Sequence, residues 1–200
     1  MKKILNIILI ITVFSCKAQS IIVPIGSGEE FQKNPTYYKK DVNNEFGKFE
    51  GNWKYQNGNT EINFKLKKEE HYQASEGYNY RDLLVGEYQY IEDGVEKVNT
   101  LSKFNSISVS GYDHSISGGV FIHQSPNYCI DNSDIQEIKI ELFIEDPNNH
   151  LIEGRIILRY VIEDDIEKLQ VCIYDRTTLA DDVTARIDIP DGYYEFVKQE

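Results

Sequence analysis

The amino-acid sequence predicts an all-β protein, an antiparallel up-and-down barrel of about 8–10 strands preceded by a short helical turn. From residue 60 onward, apolar and polar residues alternate with a period of two, as they do in half-buried strands. Turn sequences such as Asp93-Gly94 separate these segments, and no helical segments alternate with them, which argues against a parallel sheet. A sandwich fits the same pattern, but a closed barrel is favoured because closure removes exposed strand edges.

The helical turn is predicted in the segment DVNNEFGKF, residues 41–49. Asp41 is a residue type that caps helix N-termini. Val42, Phe46 and Phe49 are spaced i, i+4 and i+7, which places them on one helical face.

The strands follow in order. In TEINFKLKKEE, the residues Ile62, Phe64 and Leu66 share one face, opposite charged residues. LVGEYQYIEDGVEKVNTL is predicted to be a hairpin around Asp93-Gly94, a pair favoured in tight turns. NSISVSGYDHSISGGVFIH, residues 105–123, is predicted to contain two short strands.

The carboxy-terminal half gives the clearest pattern. IKIELFIE, LIEGRIILRYVIE and EKLQVCIYD are predicted to form an antiparallel meander. In the first of these, Ile140, Leu142 and Ile144 continue an apolar face that begins at Ile138, and Lys139 lies on the opposite face. RIDIPDGYYEFVKQE supplies a closing strand after Pro190.

The chain begins with the features of an export signal: MKK, then the largely apolar run ILNIILIITVF, then Ser15-Cys16. The run is too short to span a membrane, which takes about 20 apolar residues. We interpret residues 1–15 as a lipoprotein signal peptide, 16–40 as a lipid-anchored tether containing at most a short edge strand at 21–25, and 41–200 as the barrel. Cleavage after Ala18, giving a soluble secreted protein, is the alternative.

Val13-Phe14-Ser15-Cys16 resembles a bacterial lipobox, although Phe14 departs from the usual small or β-branched residue. The resemblance implies that Cys16 carries a diacylglycerol and becomes the first residue of the mature protein. Lys17 after the cysteine implies the outer membrane, and the lack of early acidic residues favours its periplasmic face over the cell surface.

The acidic composition argues against two classes of binding partner, nucleic acids and anionic lipid headgroups. The formal charge of the whole chain is −12, and loss of Lys2 and Lys3 with the signal makes it more negative. So acidic a protein is not expected to bind nucleic acid by counterion release, or anionic lipid headgroups by charge. With Cys16 lipidated, Cys129 and Cys172 remain as a possible disulfide in an oxidising compartment, or as two buried thiols.

Gly51-Asn52-Trp53 follows the helical turn and opens the first strong strand. This G-x-W pattern, within FEGNWKY, resembles the start of the barrel in lipocalins and in small bacterial lipoproteins with lipocalin-like domains of unknown function. The resemblance implies a helix closing one barrel end, a tryptophan at its base, and a cationic residue stacked on that ring, for which Arg186 and Lys198 are candidates. The alternative is another β-protein with one core tryptophan.

No catalytic or metal pattern emerges, and no cofactor is expected. The four histidines lack metal-site spacing. We interpret them as surface residues, although Asp113, His114 and His123 would meet if their predicted strands paired. The acidic residues between Glu163 and Glu167 lack the order of a calcium loop, so a charged hairpin tip is expected there.

The sequence leaves two non-enzymatic functions open. One is a lipid-anchored barrel that holds a small apolar ligand. The other is a barrel with a solid core that meets an envelope protein or a glycan through an acidic, tyrosine-rich surface. Tyr37-Tyr38, Tyr78, Tyr80, Tyr88, Tyr90 and Tyr193-Tyr194 are the candidates for an aromatic platform. The inward positions are rich in large residues, which favours a filled core.

Overall fold

The computed structural model describes residues 20–28, 33–125, 129, 134, 136–148, 152–178 and 186–200, with the side chains of 175–178 left out. Short 3-10 turns occur at Glu45–Lys48, Leu101–Lys103 and Gly111–Asp113. The strands in the described residues are β1 (Ile21–Pro24), β2 (Tyr37–Lys40), β3 (Gly51–Asn57), β4 (Thr60–Tyr72), β5 (Tyr80–Glu92), β6 (Val95–Asn99), β7 (Ile116–Ile122), β8 (Lys139–Glu145), β9 (Ile152–Glu163), β10 (Ile166–Thr178) and β11 (Gly192–Gln199).

Eight of these strands close into an antiparallel up-and-down barrel, in the order β3-β4-β5-β7-β8-β9-β10-β11. Closure comes from β11, whose residues 197–199 pair with 52–54 of β3. The predicted fold class is therefore confirmed, including the closing strand after Pro190. The three-stranded meander is also confirmed, as β8, β9 and β10.

Three further strands extend the sheet beyond the barrel. β6 forms a hairpin with the second half of β5. The turn between them has Asp93 at φ 52° and Gly94 at φ 73°, so two consecutive positive φ angles make the tight turn that this pair was expected to form. β1 and β2, within the segment interpreted as a tether, add to β5 by parallel pairing.

The prediction of two strands in residues 105–123 is wrong in its first half. Only β7 forms there, and the preceding segment 100–115 crosses the outer face of β4 and β5 instead. The ammonium of Lys67 donates to the carbonyl of Phe104 (2.9 Å), and the amide of Gly111 donates to the carboxylate of Glu69 (2.8 Å). These bonds satisfy backbone groups that a strand would have paired.

The barrel interior is occupied by large side chains. Ile62, Phe64 and Leu66 share the buried face of β4, as their spacing predicts, and Ile140, Leu142 and Ile144 do the same on β8. The largest of these buried side chains belong to Trp53, Phe64, Tyr88, Tyr90 and Phe196. A barrel of eight strands is just wide enough for its own side chains to fill it, and here aromatic residues do so.

The 3-10 turn Glu45–Lys48 closes one end of this core. Both carboxylate oxygens of Asp41 accept backbone N–H bonds, from Glu45 (2.8 Å) and Phe46 (2.9 Å). Phe46 and Phe49 are buried, but Val42, expected on the same face, is half exposed. The tight turn begins only at Glu45, so Val42 lies before it and is not carried round to the core.

Trp53 sits beneath this turn, and its indole N–H donates to the carbonyl of Phe49 (2.8 Å). The ammonium of Lys198 lies 5.4 Å from the centre of its ring. Lys198, rather than Arg186, therefore occupies the position of the stacked cation that the G-x-W resemblance implies.

Candidate functional site

A groove forms where β5 changes neighbours. Residues 84–86 of β5 pair with 116–118 of β7, whereas Arg81 pairs with Lys39 of β2. Beyond Gly118, the register of β7 shifts at a bulge and its last residues pair with β8. Both Gly118 and Gly119 have φ of 143°, and a bulge bends a strand away from its partner. The divergence of β7 from β5 leaves an opening between the barrel and the β1–β2 ribbon.

This groove has a volume of about 340 Å³, within the range of small-ligand sites. Among the described residues, its apolar lining includes Leu83, Val120, Phe121 and Phe143, and its charged lining consists of Lys39, Arg81 and Asp82. The guanidinium of Arg81 donates to the hydroxyl of Tyr112 (2.9 Å). Arg81 and Tyr112 also line an adjoining recess of about 200 Å³.

Asp82 is buried at the groove and its carboxylate is fully engaged. One oxygen accepts bonds from the Tyr38 hydroxyl and from the amide of His71 (3.1 Å), and the other accepts the amide of Asp41 (3.0 Å). The ammonium of Lys68 lies 3.7 Å from carboxylate oxygens of both Asp41 and Asp82. The cluster therefore stabilises the junction of β2, β4, β5 and the helical turn.

The charges of this cluster stabilise one another. Burial acts to lower the pKa of Lys68, but its bond to Glu70 and the charges of Asp41 and Asp82 outweigh burial and raise the pKa. The Lys68 side chain therefore stays protonated at neutral pH and offsets part of the buried negative charge.

A second buried polar pair lies under the segment 100–115. Nδ1 of His114 is 2.8 Å from Oε1 of Glu87, and both side chains are fully buried. Burial acts to raise the pKa of Glu87, but the neighbouring His114, Thr100 and Ser115 side chains lower it overall. Oε2 of Glu87 and Nε2 of His114 have no hydrogen-bond partner among the described groups.

The surface interpretation holds for His71 and His123 but not for His114, and Asp113, His114 and His123 do not form a site. His114 is buried, not on the surface, because its side chain turns inward from the segment 100–115 and lies against Glu87 of β5. His123 is exposed and lies 3.3 Å, through Nδ1, from the carbonyl of Glu137, so the two rings do not share a site. In the described part of the chain, no three His, Cys, Asp or Glu side chains are grouped as a metal site would require.

The acidic turn between β9 and β10 is a charged hairpin tip, in agreement with the expectation. Glu163 contacts the ammonium of Lys168 (2.8 Å), and Glu167 contacts that of Lys198. These contacts hold the two carboxylates against neighbouring strands.

The tyrosines do not gather on one face. Tyr88 and Tyr90 are core residues, Tyr38 is buried at the groove, and Tyr78 and Tyr193 are partly exposed. The hydroxyl of Tyr194 donates to the carbonyl of Pro190 (2.7 Å). Most of the proposed aromatic platform therefore consists of residues that support the barrel.

Cys129 and Cys172 are joined by a disulfide, with their Cα atoms 5.8 Å apart. Cys172 lies on the outer face of β10, where it packs with Ile157, Tyr174 and Cys129 in a small apolar cluster outside the barrel. The bond fastens the segment before β8 to this face.

Comparison with known proteins places the chain in a family. A family model described as a family of unknown function, DUF6705, matches residues 1–199. The chain belongs to this family. No curated protein and no solved structure matches it. The DUF6705 match thus identifies relatives of unknown role, and the eight-stranded barrel is compatible with ligand binding.

Cys16 and the rest of the export signal lie outside the described residues. Among the helices that are described in this DUF6705 chain, none is long and apolar enough to cross a membrane.

Sequence patterns did not identify the groove. The charged residues described in its lining come from different strands, β2 and β5, so no local motif joins them. One signal was available: Gly118-Gly119 inside a strand pattern is typical of a bulge, and bulges occur next to functional sites.

Proposed function

We propose that this protein is a non-enzymatic binding protein of the bacterial envelope, held at a membrane by a lipid on Cys16, that acts through the outer surface of a filled barrel. The periplasmic face of the outer membrane is the favoured location. The observation that supports this proposal is the packing of the barrel interior. The space that an internal ligand would need is occupied by the side chains of Trp53, Phe64, Tyr88, Tyr90 and Phe196.

The membrane address rests on the sequence. The charged start, the apolar run and Ser15-Cys16 fit a lipoprotein signal. A diacylated cysteine holds a protein more stably than one acyl chain does. A strongly negative domain next to anionic lipids needs such an anchor, since its charge alone does not attract it to them.

Metabolic labelling with a radioactive fatty acid tests the anchor. The wild-type chain is expected to take up label and to fractionate with membranes, and Cys16→Ala is expected to take up none. Cys129→Ala is the matched control, because it removes a cysteine outside the signal and should leave labelling intact. Labelling that persists in Cys16→Ala contradicts the proposed address.

Native mass spectrometry of residues 20–200 tests the filled interior. This segment contains every described strand, and a bare protein mass is expected after extensive dialysis. A discrete extra mass that survives dialysis and disappears on denaturation would show a bound ligand. If the same mass persists when the groove residues Arg81 and Val120 are substituted, the ligand is internal and this proposal is contradicted.

A further inference from the structure

We propose that the groove between β5, β7 and the β1–β2 ribbon binds a small amphipathic anion, with a single carboxylate or phosphate head on Arg81 and an apolar chain along Val120, Phe121 and Phe143. This inference rests on the proposed surface role and names the ligand class. The site lies outside the barrel, where the interior packing does not limit it.

The apolar half of the groove is built from side chains of β5, β7 and β8. Val120 is 54% exposed although it lies beside the aromatic rings of Phe121 and Phe143 in the lining. An alkyl chain or a ring laid against it would remove this apolar surface from water, which is the main driving force for binding apolar groups. An inorganic anion has no apolar part, so it would leave the surface of Val120 exposed to water.

The charged half favours an anion. Arg81 and Lys39 are direct partners in the parallel pairing of β5 and β2, so two cations stand side by side in a strongly acidic protein. Among the described residues that line the groove, Asp82 is the only carboxylate, and it accepts bonds from the Tyr38 hydroxyl and from the amides of Asp41 and His71. It also lies near the ammonium of Lys68. Lys68, behind the groove, therefore offsets part of the charge of Asp82.

Arg81 is positioned to bind a head group. Within the described residues, its guanidinium forms a hydrogen bond to Tyr112, which fixes its plane. A guanidinium carries five N–H donors in a fixed fork, so donors remain for a carboxylate or phosphate oxygen. Arg81 also lines the adjoining recess, so a head group bound to its guanidinium has room in the groove and in the recess.

Isothermal titration of residues 20–200 with dodecanoate, dodecyl phosphate and dodecyltrimethylammonium, each below its micelle concentration, tests the site. We expect one molecule of dodecanoate or dodecyl phosphate per chain, and the preferred head group distinguishes a carboxylate from a phosphate source. The cationic amphiphile is expected to bind at least tenfold more weakly. Absence of binding by both anions overturns the proposal.

Two variants locate the binding. Arg81→Gln and Val120→Glu are each expected to weaken the anion at least tenfold, the first by removing the donors and the second by adding a like charge to the wall. Val95→Glu is the matched control, because Val95 is an equally exposed strand valine (55%) far from the groove. It should bind as the wild type does.

Affinities unchanged in both groove variants, or reduced equally in Val95→Glu, overturn the assignment. Thermal unfolding of each variant is measured alongside, so that loss of binding is separated from loss of fold. Failure of this test is distinct from failure of the proposed function, because the titration uses protein without Cys16 and does not depend on the anchor.

Discussion

The buried Glu87–His114 pair is the contact at which single side chains affect stability most directly. Neither group reaches solvent, and each has one polar atom without a described partner. Removing one member of a buried pair leaves the other desolvated and uncompensated. We therefore expect His114→Ala to lower the free energy of unfolding by about 3–5 kcal/mol, measured by urea denaturation.

The same pair makes stability depend on pH. The folded pKa of Glu87 lies below its usual value, so its contribution is complete above the unfolded pKa of about 4.3 and is lost as the pH falls through the lower folded pKa. Glu87→Gln keeps the size of the side chain but not the charge. This substitution is expected to lower the free energy of unfolding by about 1–3 kcal/mol at pH 7 and by less at pH 3.

Thermal unfolding of wild type and Glu87→Gln between pH 3 and 7 checks this sign. The difference between the two midpoints should be constant near neutral pH and narrow in acid. A difference that stays the same, or widens, as the pH falls would mean that the Glu87 carboxylate does not stabilise the fold.

At the residue scale, sequence reasoning succeeded where position within a local pattern decides burial. Phe64 and Ile140 alternate with polar residues, so the period of two assigns them to the core. Glu87 and Asp82 are buried by segments distant in sequence, namely 100–115 and the β1–β2 ribbon. Their partners lie on other strands or in the connecting segments, which no local pattern records.

Among the structural elements, the Gly118–Gly119 bulge determines both the groove and the packing of the helical turn. Gly119 has φ of 143°, and a Cβ at this position would lie 2.6 Å from the ring of Phe46. We expect Gly119→Ala to lower the free energy of unfolding by about 2–4 kcal/mol, from backbone strain together with displacement of the buried ring.

Gly28→Ala is the control for this prediction. Gly28 also has a positive φ, 75°, but a Cβ there would meet nothing within 4 Å. Gly28→Ala should lower the free energy of unfolding by only about 1–2 kcal/mol, because backbone strain alone contributes. Equal losses for the two variants, measured by urea denaturation, would show that Phe46 moves aside freely and that the bulge tolerates a side chain.

The disulfide is the second element whose contribution is measurable. It joins residues 43 apart in sequence, and a loop of that size corresponds to about 4 kcal/mol on the chain-entropy model. The double variant Cys129→Ala/Cys172→Ala is expected to lose roughly that amount. Reduction of the wild type with a phosphine should cause a similar loss and should leave the double variant unaffected.

Mass spectrometry gives an independent check of the same bond. The intact protein should weigh two hydrogen atoms less before reduction than after it. A wild type whose stability and mass do not respond to the reductant would show two free thiols in solution.

Elements joined by a characteristic pair of turn residues could be predicted from the sequence. The β5–β6 hairpin follows from Asp93-Gly94, since few residue pairs adopt two positive φ angles. The segment 105–110 was not predictable, because its alternation resembles a strand while its position depends on contacts with Lys67 and Glu69 from β4. Tertiary contacts there override a local preference.

For the whole molecule, the strand number and the absence of helices between strands predicted a barrel or a sandwich, and closure was favoured because it removes exposed strand edges. The parallel pairing of β2 with β5 did not follow from these, because it joins residues more than 40 positions apart. This pairing has a consequence for orientation. Ile21 begins β1 only five residues after Cys16, a span of at most about 18 Å.

A lipid on Cys16 would therefore hold the β1–β2 end of the barrel next to the membrane. β5 runs 13 residues from Tyr80, beside β2, to Glu92, beside the β6 turn, a distance of about 40 Å along the strand. Ile22 and Val95 are similarly exposed, at 56% and 55%, and they lie at these opposite ends. They are thus matched positions for a fluorophore attached to Ile22→Cys or Val95→Cys.

In vesicles that contain brominated lipids, the lipidated protein labelled at Ile22→Cys should be quenched strongly and the protein labelled at Val95→Cys weakly, because bromine quenches only at short range. Without the lipid, in Cys16→Ala, neither label should be quenched. Equal quenching at both ends would mean that the barrel lies on its side or tumbles freely on its anchor. Strong quenching at Ile22 alone would place the groove, which includes Gly26 just after β1, beside the lipid surface from which an amphipathic anion would come.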